Sequence, residues 1–243
     1  MVTGAGVSAE SGVATFRDAG PEQGDALWSR YDPMQLATID AFNADPELVT
    51  RWYHWRFSRC AHVKPNPGHV ALAELQRVVE SRGGEFVLLT QNIDGLHQAG
   101  GSTGVVELHG TILTWRCVKT GEHVSIHDIP FDVFPPRSRA GGLLRPNVVW
   151  FGEVLPEDAV ERAQDAASRC DVFLTIGTSG VVYPAASFVQ FAGDRGAFTA
   201  EVNKDPTPLS HMVDVSIMGR SGEVMPRVVE RVRGIGGLDA GHT

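Results

Sequence analysis

One apolar run of the chain, "VVELHG" (105–110), closes on a histidine, His109. A histidine at the carboxyl end of a buried strand titrates near neutrality and suits general-base chemistry, although a lone histidine is more often structural or simply exposed. A second suggestive stretch is "GAGVSAESGVATFRD" (4–18). Backbone amides in a glycine-rich turn after a strand can approach a pyrophosphate closely. Gly4 and Gly6 fit the start of a G-x-G-x-x-G fingerprint, but position 9 is Ala, and no acidic residue stands where a dinucleotide ribose needs one. Taken alone, the loop is as well explained by a tight structural turn as by a phosphate cradle. In "DPELVTRWYHWRFSR" (45–59), Tyr53 and Arg56 are three residues apart and share one face of a helix opened by Asp45 and Pro46. A guanidinium and a phenol can together hold a carboxylate. The spacing alone favours an amphipathic helix whose arginine meets solvent.

The elements that must position these residues alternate. "EFVLLT" (85–90), "VVELH" (105–109), "DVFLTIGT" (171–178) and "AFTAEVN" (197–203) are short apolar runs of buried-strand character. Between them, "GHVALAELQRVVESRG" (68–83) predicts a helix with Val70, Leu72, Leu75, Val78 and Val79 near one face. "LPEDAVERAQDAASR" (155–169) opens on Pro156 and acidic residues, as a helix N-terminus should, and "PAASFVQFAG" (184–193) follows a strand directly. The expected fold is α/β, a parallel sheet with helices on both faces, and ligands bind such sheets beyond the carboxyl ends of the strands. Residues 19–60, aromatic-rich and helical in pattern, and 113–141 interrupt the alternation and are expected to form a smaller inserted module.

Composition excludes little but points one way. The chain has 243 residues, a formal net charge of -8 and 21% charged residues. That acidity argues against general nucleic-acid or anionic-membrane binding. No apolar run reaches the ~20 residues of a bilayer span, and the three cysteines, Cys60, Cys117 and Cys170, make no disulfide framework, so a cytoplasmic location is the expectation.

Six stretches occur in one chain and in a fixed order: the glycine loop, "TQNIDGLH" (90–97), "ELHG" (107–110), "VVWFGE" (148–153), "GTSGVVYPAA" (177–186) and "EVN" (201–203). Together they closely resemble the sirtuins, the NAD-dependent protein-lysine deacylases. The resemblance runs from residue 2 to about residue 232. It implies a Rossmann-like NAD-binding domain from 1–18, 61–112 and 142–233, a small module from 19–60 and 113–141, and a disordered tail at 234–243. It further implies that Gly4, Ala5, Gly6, Phe16 and Arg17 close over NAD, and that Gln91, Asn92 and Asp94 hold the nicotinamide ribose and carboxamide. Gly177, Thr178 and Ser179 would meet phosphate and ribose, Asn203 the adenosine ribose, and Ser221 the adenine region. His109, Asn92 and Asp94 would be catalytic. The acyl oxygen of an acyl-lysine would attack the anomeric carbon, and His109 would then take a proton from a ribose hydroxyl, giving lysine, nicotinamide and O-acyl-ADP-ribose.

Within that resemblance Tyr53 and Arg56 match the Tyr-x-x-Arg pair of the sirtuins that accept succinyl- and malonyl-lysine, with acetyl removal persisting beside it. Val148 and Phe151 are the candidates near the acyl-lysine channel, with "VVWFGE" pairing as an edge with the substrate backbone. The expected partners are acyl-lysine proteins or peptides. The family usually binds a structural zinc through two Cys-x-x-Cys pairs. This chain keeps Cys117, has Thr120 at its partner position and no cysteine before Gly141, and the neighbouring His123, His127 and Asp128 form no recognisable ligand spacing. A structural zinc is therefore not expected. Only Met1–Thr3 precede the glycine loop, so either a natural start further upstream or a shortened form is expected. Two other readings stay open: an NAD- or ADP-ribose-binding regulatory module with little turnover, and an NAD-dependent dehydrogenase, against which the incomplete fingerprint argues.

Overall fold

The computed structural model describes residues 1–13 and 31–235. The apolar runs pair as parallel strands: β1 (Val2–Thr3), β2 (Leu89–Thr90), β3 (Val106–Glu107), β7 (Val172–Ile176), β8 (Phe198–Asn203) and β9 (Val215–Met218), while β4 (Gly110–Cys117), β5 (His123–Ser125) and β6 (Leu144–Val148) form a second sheet. Their order is β3-β2-β1-β7-β8-β9, and every neighbouring pair is parallel. The expected α/β sheet is present, with its strands shorter than the apolar runs. The chain leaves β1 toward β2 and β3 on one side, and β7 leads to β8 and β9 on the other. The order therefore reverses between β1 and β7, which is where such sheets open a crevice for ligands.

Helices cover the sheet for local reasons. In α5 (Pro67–Ser81), Asn66 caps the first turn through Gly68 N and His69 N, and Pro67 takes the position that needs no N–H. Its buried face carries Ala71, Leu72 and Leu75, whereas Val70 points to solvent at 46% exposure, on the opposite side of the helix from where the pattern put it. α7 (Glu157–Arg169) buries only Ala159, Ala163 and Ala167, so it can lie close to the sheet beside α8 (Phe188–Gly193). Opposite them, α5 packs on α9 (Ser221–Ile235) through Leu72, Leu75, Met225 and Val229. Gly234 and Ile235, expected in the tail, still belong to α9, and the rest of that tail lies outside the described residues.

The smaller module joins α2 (Pro33–Leu36), α3 (Ile39–Ala44) and α4 (Pro46–Cys60) to an antiparallel sheet in the order β5-β4-β6. Those strands are β4 (Gly110–Cys117), β5 (His123–Ser125) and β6 (Leu144–Val148). The expected boundaries at 112 and 142 thus cut through this sheet, which draws 110–112 and 144–148 into the module. Its core is aromatic: Phe42, Trp52, Tyr53, Trp115 and Trp150 are buried with Ile112, Ile126 and Ile129. The short helices α1 (Ala5–Ala9) and α6 (Leu96–Ala99) follow β1 and β2 at the strand ends that open on the crevice.

Candidate active site

Four loops leave the carboxyl ends of β1, β2, β7 and β8, and they meet. Gly4 N donates to Ile176 O at 3.1 Å and Gly6 N to Gly177 O at 2.7 Å. A Cβ on Gly6 would lie 2.7 Å from Gly177 O, and one on Gly177, whose φ is +59°, would lie 2.5 Å from Val7 N. The glycines are thus needed first for two turns to interlock. Asn92 Nδ2 donates to Gly4 O at 3.1 Å and to Ser8 Oγ at 3.0 Å. Gln91 Nε2 reaches Thr178 Oγ1 at 3.0 Å, and Asn203 Nδ2 reaches Thr178 O at 2.8 Å. Ser179 follows, half-buried, and Ala5 is half-buried at the start of α1. Ser221 enters from α9: its hydroxyl and Gly222 N both donate to Glu10 Oε1, at 2.8 and 3.0 Å. Phe16 and Arg17 lie outside the described residues.

His109 sits just past β3, half-buried, with Nδ1 3.0 Å from Gln91 O. A carbonyl only accepts, so Nδ1 carries the proton and Nε2 keeps a lone pair. Burial lowers the imidazole's pKa, and the carbonyl contact opposes this in part. The ring is therefore neutral near pH 7, the form a base must have. Asp94 Oδ1 accepts from Leu96 N at 2.9 Å, which turns the chain into α6. His69 and His97 meet edge to face with ring centroids 4.9 Å apart, and Thr3 Oγ1 lies 2.8 Å from His97 Nε2. Both are buried.

The module's side of the crevice is built on α4. Asp45 accepts from Leu48 N and Pro46 opens the helix. Tyr53 faces inward, fully buried, and Trp150 Nε1 donates to its hydroxyl at 3.0 Å. Burial pushes the phenol's pKa up to about 12, against the pull of Arg56. The Arg56 guanidinium lies over the rings of Trp52 and Tyr53, at 4.9 and 5.8 Å. It does not simply meet solvent. Burial and the charge of Asp94 raise the Cys60 thiol's pKa while Arg56 lowers it, so the end of α4 lies within electrostatic reach of the Asp94 loop. Val148 is buried in the module core, whereas Phe151 is 41% exposed at the rim. The segment between them is already anchored: Val149 N donates to His109 O, Trp150 N to Glu153 Oε2 and Phe151 N to Ala37 O. An added peptide strand would have to use other groups of this segment.

Residues 4–184 match the Sir2 family. The chain belongs to the Sir2 family. It is 53% identical over 234 residues to the NAD-dependent protein deacylase 2 of Pyrobaculum aerophilum, covering 96% of this chain and 90% of that one. The fold superposes on a Sir2 homologue solved as an NAD complex with a TM-score of 0.87 at 44% identity, covering 96% of this chain and 88% of the other. A Sir2 protein bound to acetylated peptide gives 0.83 at 32% identity, over 96% and 92% of the two chains.

Around Cys117, where the resemblance would put a structural zinc, the neighbouring groups are hydroxyls, amides and a glycine. Ser138 Oγ donates to Cys117 Sγ at 3.0 Å. That hydroxyl, the Thr120 hydroxyl and the amides of Lys119 and Thr120 lower the Cys117 thiol's pKa. A Cβ on Gly142 would lie 2.5 Å from the sulfur. One thiol, two hydroxyls and a glycine turn do not make a tetrahedral zinc set, and among the described residues no three His, Cys, Asp or Glu side chains gather to hold a metal. This Sir2 chain also uses two residues that spacing did not single out, Glu10 and Trp150. Their partners are 211 and 97 positions away, so no local pattern could have found them.

Proposed function

We propose that this Sir2 chain removes acyl groups from protein lysine with consumption of NAD, and that its acyl pocket favours carboxylated acyl groups, succinyl and malonyl, over acetyl. The enzyme is an NAD-dependent protein deacylase, and NAD is its co-substrate rather than a redox carrier. The observation that carries this is His109: a neutral imidazole, its Nδ1–H fixed on Gln91 O, at the mouth of interlocked loops from four parallel strands. NAD supplies the ribosyl carbon that receives the acyl oxygen. His109 Nε2 takes the proton of a ribose hydroxyl, a transfer worth typically about 10²–10⁴-fold in rate. Asn92 and Gln91, tied to Gly4, Ser8 and Thr178, hold the loops in register for the nicotinamide ribose, and Asp94 completes that edge. Gly177, Thr178, Ser179 and Asn203 meet phosphate and the second ribose, with Ala5 beside them at the start of α1.

The acyl preference rests on Tyr53 and Arg56, which share the inner face of α4. A carboxylate can accept from both the phenol and the guanidinium, which the methyl of an acetyl group cannot do. Phe151 is the candidate at the entrance. Paired acetyl- and succinyl-lysine peptides, followed by mass spectrometry with and without NAD, test this. Succinyl loss should require NAD, vanish in His109→Ala and fall selectively in Arg56→Met. Equal losses of both activities in Arg56→Met would remove the acyl preference, and absence of turnover with NAD still bound would remove the enzyme reading.

A further inference from the structure

The Tyr53 hydroxyl has a defined role because of what it bonds. An indole N–H can only donate, so the contact from Trp150 Nε1 uses the phenol as acceptor and leaves its own O–H proton to be given away. Among the described residues, that indole bond is the hydrogen bond at Tyr53 Oη. The phenol is fully buried and Trp150 is 2% exposed, so water is a poor substitute for a missing acceptor.

The indole is held on several sides. Arg145, 3% exposed, places its guanidinium carbon 3.3 Å from the Trp150 ring centroid. Both oxygens of Glu153 accept from Arg145, at 2.6 and 2.8 Å, and Glu153 Oε2 also takes Trp150 N at 2.8 Å. Phe42 packs against the indole with centroids 5.3 Å apart. A cation over the ring face draws electron density from it and makes the N–H a stronger donor. A phenol that accepts such a bond becomes in turn a stronger donor.

We propose that Trp150 is a specificity-positioning residue, whose indole N–H sets Tyr53 as a hydrogen-bond donor and so favours acyl chains that end in a carboxylate. This rests on the carboxylated-acyl reading above. An acetyl group offers the Tyr53 proton nothing, whereas a succinyl or malonyl carboxylate accepts it while Arg56 meets the charge.

The test is a double-mutant cycle of Trp150→Phe and Tyr53→Phe, read as kcat and KM for succinyl- and acetyl-lysine peptides at saturating NAD. Trp150→Phe should lower the succinyl-to-acetyl ratio of kcat/KM about ten-fold, carried by succinyl KM. In the Tyr53→Phe background, Trp150→Phe should change that ratio no further. An unchanged ratio in Trp150→Phe, or an equal fall without the phenol, would overturn the proposal. Should Trp150→Phe not fold, benzothienylalanine at position 150 keeps the ring shape without the N–H, and an unchanged ratio there overturns it equally. A wild type that removes acetyl but not succinyl groups ends the proposal as well, and it does so by failure of the acyl reading, visible before any variant is made.

Discussion

Burial favours the neutral form of His109, and the Nδ1–H bond to the Gln91 carbonyl opposes it only in part. The base form therefore persists to lower pH than for an ordinary histidine. The acid limb of kcat/KM should fall below about pH 6.5, and His109→Asn should cost at least about 10²-fold in kcat. A pH–rate profile checks the first and single-turnover kinetics the second. His97 makes the complementary prediction for stability. Its pKa is lowered to about 3, chiefly by burial and then by His69. The unfolded chain binds a proton near pH 6.5 that the fold refuses, so stability is full above that pH and is lost as the pH falls toward 3. Thermal midpoints measured from pH 7 to 4 should decline, and His97→Leu should flatten the slope.

Among the elements, the interlocked glycine turns and the Cys117 turn are the most exposed to test. Gly177→Ala puts a Cβ against Val7 N at positive φ and should cost about 1–3 kcal/mol by denaturant unfolding. The Cys117 turn is closed by Ser138 and Gly142 rather than by a metal set, so a chelator should leave the thermal midpoint unchanged. A large fall would point to a bound metal instead. How far the elements were legible depended on their local signals. α5 and α7 carry capping residues and an apolar face, and β7 and β8 are continuous apolar runs, all of which show in the chain order. β9 has four residues and an exposed character, and α9 carries Pro226 in its interior, which breaks the usual helix pattern. Val70 was misplaced because a continuous apolar stretch hides the helix period.

For the whole molecule, the sheet order puts the candidate site at the switch between β1 and β7, and the small module supplies the opposite wall. Gln91, Asn92 and Asn203, singled out by the family resemblance, follow strand ends, and the sheet brings their side chains to the glycine turns. Contacts distant in sequence within each part were not legible, since Tyr53 meets Trp150 across 97 positions in the module and Ser221 meets Glu10 across 211 in the main domain. No helix among the described residues is long and apolar enough to cross a membrane. The most direct test of the central claim is the stoichiometry of one reaction mixture: acyl groups lost from a succinyl-lysine peptide, nicotinamide released, and the fate of the acyl group. The account predicts equal moles of the first two, with the acyl group recovered as an ester of ADP-ribose. Acyl loss while NAD stays intact, or a rise in reduced-nicotinamide absorbance, would contradict it.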